Sequence, residues 1–373
     1  MTRGHNEGTI SKRKDGRWQA RVTLPDGTRR AFYAKTRTEA AAQLHNARQA
    51  LQQALPVTGG RETVAQFLTR WLRDVVEQRV AWSTAERYRR DIRLHIAKKL
   101  GKLRLTELSP KRVQSFINEL TAEGLGPRGV AHSRAVLRNA LEQALREGLI
   151  SLNGARHVTI PRQKRKQVAA LSPAAAQAII DTFKGHDYEA LITVTIATGL
   201  RQGELLGIRW LDLDLDAATV TVHQQLQQVR GEYQLVPLKT DQSRRILPLP
   251  RIAVEALRAH RARQAETRLS LGQLWLDRGL VFTTAIGDYL NGSSVTHRFQ
   301  DRLKDAGLPA MAFHDLRHGT ASLLLAQGAS MRVVMEQLGH SQISLTMNTY
   351  ASVAPALMRD AADRLDRALG GPA

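Results

Sequence analysis

From Thr63 to about Leu152 the chain carries apolar residues at helical spacing, with no run of β-branched residues suited to a strand. Val64, Phe67, Leu68, Trp71, Leu72 and Val75 fall on one face of a 3.6-residue repeat, which predicts a buried helical stripe. A second helix is expected from Ser83, displaying Arg87, Arg89, Arg90 and Arg93 beside Tyr88, Ile92 and Leu94. Ser109-Pro110 opens a third, because proline suits the first helical turn. A fourth runs from about Arg128 to Arg146 and ends near Gly148. A stretch patterned this way specifies an all-α bundle at the centre of the chain.

The flanks read differently. Before the bundle, Asp15-Gly16 and Asp26-Gly27 separate short β-forming runs at Thr9–Lys12, Trp18–Leu24 and Arg30–Ala34. Asp-Gly is a two-residue hairpin signal, since a type I′ turn needs positive φ at both central positions. A helix that Thr38 could cap follows to about Leu55, and Pro56-Val-Thr-Gly-Gly60 reads as a linker. After the bundle, Arg156–Lys166 holds five basic residues and no acid, with Pro161 inside, as an extended strap would. Beyond it the chain mixes helix and strand: Leu171-Ser-Pro begins a helix, and Val220–Leu226, Gln234–Leu238 and Arg245–Leu249 alternate like strands of a small sheet. The expected fold is multidomain, mainly α with small β-sheets. A three-stranded sheet plus helix occupies 1–58, a helical bundle 62–160 and a mixed α+β domain 168–373.

Charge narrows the partners. The chain has 55 Lys+Arg against 34 Asp+Glu, a formal net charge of +21. Residues 1–61 alone carry 12 basic side chains against 4 acids. Neutralising phosphates releases condensed counterions, so a folded chain this basic points to nucleic acid. No stretch of about 18 apolar residues spans a membrane, and the polar start MTRGHNEG lacks the apolar core of a signal peptide. The absence of cysteine excludes disulfides, Cys-zinc sites, Fe–S clusters and thiol nucleophiles. A cytoplasmic nucleic-acid-binding protein is expected, with DNA contact favoured at the N-terminal segment by Trp18, Phe32 and Tyr33 among its cations. Its candidate contacts are Lys12, Arg13, Lys14, Arg17 and Arg21 near the N-terminus, Arg87 and Arg90 on the bundle, and Lys164, Arg165 and Lys166 on the strap.

Four clusters in the last segment carry chemistry. In Ala197-Thr-Gly-Leu-Arg-Gln-Gly-Glu-Leu-Leu206, Arg201 follows Gly199 and Glu204 sits three residues on, expected on the same helical face. Pro237-Leu-Lys239-Thr-Asp-Gln-Ser-Arg-Arg-Ile246 places Lys239 at a turn between strands. In Phe313-His314-Asp-Leu-Arg317-His318, imidazole and guanidinium share a helical face; the His314/His318 spacing lacks the Glu and third ligand that a zinc-protease helix requires. Leu338-Gly-His340 is followed, ten residues past the histidine, by Tyr350.

Together these residues suit attack on a phosphodiester without a metal. Such a reaction needs charge neutralisation on the non-bridging oxygens, an in-line nucleophile and a proton for the leaving oxygen. Two arginines can clamp oxygens with planar, permanently charged forks. A tyrosine nucleophile keeps the bond energy in a covalent adduct for later resealing.

The set Ala197-Thr-Gly-Leu-Arg-Gln-Gly-Glu, Lys239-Thr, His314-x-x-Arg317 and Leu338-Gly-His340…Tyr350 resembles the catalytic domain of the tyrosine recombinases, the phage-integrase family. The upstream bundle is similar to the family's core-site-binding domain. The N-terminal segment resembles the small arm-site-binding domain of the lambda-type integrases, on hairpins and charge. The resemblance implies that Tyr350 attacks the scissile phosphate to give a 3′-phosphotyrosyl bond and a free 5′-hydroxyl. Arg201 and Arg317 would stabilise the phosphorane-like state, Lys239 would protonate the leaving oxygen, and His314 would assist deprotonation of Tyr350. His340 would hydrogen-bond the phosphate, and Glu204 would support the site by orienting Arg201.

It further implies strand exchange by a homotetramer through a Holliday junction, between double-stranded DNA attachment sites, in a bacterial nucleoid. No cofactor, metal or membrane would take part. A DNA-bending host factor and an excisionase are possible partners. One position departs from many relatives: Ser352 stands where a histidine is common. The tail stripe Leu357, Ala361, Leu365 and Leu369 either docks on a neighbouring protomer, as in the family, or packs on its own domain. The competing functions are a type IB topoisomerase-like nicking-closing enzyme and a non-catalytic DNA-binding relative.

Overall fold

The computed structural model describes residues 8–24, 27–52, 62–162, 171–238, 243–339, 365–366 and 369. The chain divides into two compact units, Met1–Arg165 and Lys166–Ala373. Among the described residues no helix is long and apolar enough to cross a membrane.

The first unit opens with β1 (Thr9–Lys12), β2 (Trp18–Thr23) and β3 (Arg29–Ala34), an antiparallel sheet in that order, followed by α1 (Arg37–Gln52). Ala20, Val22 and Ala34 are buried together with Ala40, Leu44 and Ala47 of the helix. The first hairpin is longer than the two-residue turn expected. Lys12 pairs with Trp18, Gly16 donates to Arg13 O at 3.1 Å, and only Gly16 of the pair has positive φ, at 79°. Asp15 instead turns toward the loop, accepting from the Arg17 amide at 3.2 Å. The cap of α1 is Thr36 rather than Thr38: the Glu39 amide donates to Thr36 Oγ1 at 3.2 Å while Glu39 reaches back to the Thr36 amide. Thr36 and Glu39 thus satisfy each other's orphan amides. Asp26 and the linker 56–60 lie outside the described residues.

The bundle is helical as patterned. α2 (Val64–Trp71) starts at a reciprocal Thr63–Gln66 cap, widens over Leu72–Val76, and ends in α3 (Glu77–Arg79). α4 (Trp82–Asp91) widens over Ile92–Ile96 into α5 (Ala97–Leu100). Each widened turn closes with an i→i+5 bond, Glu77 N to Leu72 O and Ala97 N to Ile92 O. α4 begins at Trp82, one residue before the expected Ser83, with no side-chain cap at Ala81. α6 (Pro110–Ala122) and α7 (Pro127–Arg146) each begin with proline, and Ser109 caps the former. Phe67, Phe116, Leu120, Leu137 and Leu141 fill the centre.

In the second unit α8 (Pro173–Thr182), capped by Ser172, leads to α9 (Glu189–Thr198). α9 is apolar all round and almost wholly buried, the pattern of a central core helix. After α10 (Gln202–Leu206) come β4 (Leu213–Asp214), β5 (Thr219–Val222), β6 (Gln224–Val229), β7 (Glu232–Pro237) and β8 (Arg245–Pro248). They form two sheets, β4-β5-β8 and the hairpin β6-β7. The expected single strand Val220–Leu226 is therefore divided at His223, whose ring meets Asp212 Oδ1 at 2.9 Å. The hairpin closes on itself because Arg230 and Gly231 both take positive φ, 54° and 92°. The helices α11 (Arg251–Leu271), α12 (Gly292–Asp305), α13 (Phe313–Ala326) and α14 (Met331–Leu338) follow.

Candidate active site

Two helix ends meet against α13 in the second unit. α9 stops at Gly199, which takes the left-handed conformation at φ 66° and donates to Thr195 O at 2.8 Å. A Cβ there would lie 2.5 Å from Leu338 Cδ2, so the position accommodates only glycine. Thr320 of α13, 2% exposed, donates to Ile196 O at 2.9 Å and locks α13 onto the last turn of α9. α14 ends at Gly339, also left-handed at φ 63°.

α13 sets Arg317 between these two helix ends. Arg317 is 3% exposed, and its guanidinium donates to Gly199 O at 2.7 Å and to Leu338 O. Both acceptors belong to helix C-termini, where carbonyls lack intrahelical donors and the dipole is negative. Burial, then the nearby Arg201, push Arg317 down to about 9, opposed by Glu204, so it stays cationic at neutral pH.

Arg201 and Glu204 are not the two members of one helical face. Arg201 is the residue before α10, with extended backbone, and Glu204 is the third residue inside. Glu204 reaches back to the Arg201 amide at 3.1 Å and to its Nη1 at 2.6 Å. Arg201 Nη2 also donates to Gly339 O at 2.9 Å. Arg201 remains partly open to solvent, while Glu204 is 1% exposed.

A third guanidinium escaped the sequence reading. Arg245, at the start of β8, donates to Glu204 Oε2 at 2.9 Å. In sequence it is one of two adjacent arginines, and nothing in their order marks which turns inward. The alternation of β8 was the available signal, but the buried partner, Glu204, is 41 residues away. Burial opposes ionisation of Glu204, yet Arg245 and then Arg201 outweigh it and hold the carboxyl below the usual carboxylate range. Three guanidiniums against one carboxylate leave the cluster two positive charges in excess.

His314 sits in the first turn of α13 and is exposed; its ring meets His318 edge-on, centroids 5.1 Å apart. Partial desolvation, then His318 and Arg317, hold His314 below the ordinary histidine value. It is therefore neutral, and able to accept a proton, at neutral pH. Among the described residues no group of three His, Asp or Glu side chains converges to hold a metal ion. Lys239, His340 and Tyr350 lie outside the described residues, as do Lys164, Arg165, Lys166, Ser352, Leu357 and Ala361.

The other DNA-contact candidates divide. Arg17 is bound to Asp15 at 2.9 Å, and Arg13 pairs with the same carboxylate and covers the Tyr33 ring at 5.2 Å. Lys12 and Lys14 are exposed around the same hairpin. Arg21 is exposed on the sheet face away from α1, opposite Thr9 and Ala31 in register. Arg87 and Arg90 are exposed on α4, whereas Arg89 between them is tied to Glu77 and Glu86.

Comparison with known families decides the affiliation. The model of the phage integrase family matches residues 164–356, about half of the chain and all of the arginine cluster. The chain belongs to the phage integrase family. A model of the phage integrase N-terminal SAM-like domain matches residues 63–121 of the bundle.

This integrase-family chain is 29% identical to a tyrosine recombinase XerC-like protein of Caldanaerobacter subterraneus subsp. tengcongensis, covering 95% of this chain and 97% of that one. It is also 29% identical to an integrase of Streptomyces ambofaciens, covering 90% and 89%. Its fold is similar to the Tn1549 transposon integrase in complex with transposon right end DNA (TM-score 0.69, 19% identity, 80% of this chain and 99% of that one). It is similar also to a lambda integrase dimer bound to a COC′ core site (TM-score 0.58, 17% identity, 94% and 97%). The chain is a tyrosine site-specific recombinase acting in the recombination of mobile elements.

Proposed function

We propose that Tyr350 attacks the scissile phosphate of a core site. The Tyr–O–P bond forms as the P–O5′ bond breaks, leaving a 3′-phosphotyrosyl adduct and a free 5′-hydroxyl. His314 takes the tyrosine proton and Lys239 supplies one to the leaving 5′-oxygen. Arg201 and Arg317 neutralise the non-bridging oxygens, His340 hydrogen-bonds one of them, and Glu204 orients Arg201.

The observation that carries this reading is the cluster of three arginines around one buried carboxylate. Its excess of two positive charges matches the two negative charges of a pentavalent phosphorane. A neutral His314 beside it fits a proton acceptor.

The same reading assigns residues 1–58 to arm sites, 62–160 to core sites and 168–373 to catalysis. Lys12, Arg13, Lys14, Arg17, Arg21, Arg87, Arg90, Lys164, Arg165 and Lys166 would contact DNA. It takes double-stranded attachment sites as substrate and a homotetramer on a Holliday junction as the working assembly. A DNA-bending host factor and an excisionase would set direction, in the cytoplasm at the nucleoid. The charge surplus of the N-terminal segment supports the arm-site assignment.

The test is capture of covalent adducts. Wild-type and Tyr350→Phe protein are incubated with nicked, sheared DNA from the source genome, denatured, and the attached strands sequenced. The expected result is an adduct in wild type alone, with a common sequence at the 3′ end. An adduct in Tyr350→Phe would move the nucleophile elsewhere.

A further inference from the structure

Three consecutive carbonyls at the end of α14 each accept from a different arginine. Gln337 O takes Arg245 Nε at 2.9 Å, Leu338 O takes Arg317 Nη2, and Gly339 O takes Arg201 Nη2 at 2.9 Å. Two of these arginines have proposed roles on the phosphate. Arg245 has none, and with its side chain only 8% exposed it lies beneath the cluster.

Each nitrogen of the Arg245 guanidinium donates a hydrogen bond, in three directions. Besides Gln337 O, its Nη1 donates to Ser243 O at 3.0 Å and its Nη2 to Glu204 Oε2 at 2.9 Å. Its backbone is held by register with Val222 in the β5–β8 pair. We propose that Arg245 is a positioning residue of the recombination site, a strut that fixes Glu204 and the end of α14 to the same strand. Through Glu204 it sets the guanidinium of Arg201. Through Gln337 it sets the point from which the chain continues into His340. The proposal rests on the assignment of Arg201 and His340 to phosphate binding.

The chemistry of the side chain explains why this position needs arginine. A planar fork addresses three acceptors at fixed angles, whereas a lysine ammonium is a point charge at the end of a flexible stem. Removing the fork leaves the Gln337 carbonyl as an orphan helix-terminal acceptor. It also leaves the buried Glu204 with Arg201 as its remaining cationic partner, drawing that guanidinium toward the carboxylate and away from DNA.

The experiment compares wild type, Arg245→Ala, Arg245→Lys and Tyr350→Phe as full-length chains. Each is mixed with the same sheared genomic DNA, and three quantities are followed: fragment binding, the rate of covalent adduct formation, and amide hydrogen exchange across residues 331–339. Arg245→Ala is expected to bind fragments like wild type but form adducts about 100-fold more slowly, the cost of misplacing a catalytic group by about an ångström. Methylguanidinium in the buffer should restore part of that rate by refilling the vacated fork, and should do nothing for Tyr350→Phe. Exchange across 331–339 should rise in Arg245→Ala and not in Tyr350→Phe. Arg245→Lys should stay well below wild type, because charge without the fork does not suffice.

Wild-type adduct rates and exchange in Arg245→Ala would overturn the proposal, as would full activity in Arg245→Lys. If Arg245→Ala does not fold, Arg245→Lys decides by the same criterion. Failure of the underlying site reading is separate. It would appear as adducts in Tyr350→Phe or none in wild type, and in either case exchange at 331–339 still reports whether Arg245 holds α14.

Discussion

Glu204 grips Arg201 twice, accepting from its backbone amide at 3.1 Å and from its Nη1 at 2.6 Å. One carboxylate thereby closes the first turn of α10 and fixes the direction of a guanidinium. It also offsets part of the repulsion among Arg201, Arg245 and Arg317, which share a site that is largely dry.

Glu204→Gln keeps the shape and removes the charge. Breaking a buried ion pair from one side leaves the partner charges uncompensated, a loss of about 3 kcal/mol. The urea midpoint should fall accordingly, and adduct formation should fall with it. The pH dependence has a definite sign. The native pKa of Glu204 lies below its unfolded value, so its contribution is present above the ordinary carboxylate range and is lost as pH drops through the native pKa. Denaturation curves between about pH 3 and 6 should therefore show a steeper acid loss in wild type than in Glu204→Gln.

Gly199→Ala tests the contact between helix ends. Entering the left-handed region costs an L side chain about 1 kcal/mol. The added Cβ would also sit 2.5 Å from Leu338 Cδ2 and 3.2 Å from Thr320 Cβ. Leu338 must move, and its carbonyl is an Arg317 acceptor. The expected variant is less stable in urea, binds DNA, and is slow to form adducts. Wild-type adduct rates in Gly199→Ala would show that the Arg317–Leu338 contact is dispensable.

His314 predicts the acid limb of the reaction. Its pKa is held below the ordinary histidine value, so the ring is mostly neutral at about pH 6.5 and above. Adduct formation should persist from about pH 8 down to about 6.5 and decline only below it. His314→Gln should lose that limb and run about 100-fold more slowly across the range, the usual worth of a proton acceptor. Rates from single-turnover adduct formation at several pH values would show both effects. The same depression makes native stability rise with pH up to the unfolded histidine value, since the unfolded chain binds the proton more readily.

Residue order alone was enough to specify the helical bundle, because its stripe of Val64, Phe67, Leu68 and Trp71 admits one period and all four are buried. It marked the helix starts at Ser109-Pro110 and Ser172-Pro173, where proline suits the first turn, and in the structure both serines cap them. It also marked Arg201 with Glu204, and His314 with Arg317, as two local pairs, since motif spacing is local information.

What those residues touch depends on the folded chain. Whether Arg201 and Glu204 lie on one helix face or across a helix start depends on where α10 begins, and Gly199 sets that by turning the chain left-handed. The strand boundary at His223 was settled by Asp212, and the inward turn of Arg245 by a carboxylate on another element. Hydrophobic period is written into neighbouring residues. The pairing of buried charges is not, because each partner is chosen by whatever opposite charge or free carbonyl the folded chain brings within about 3 Å of it.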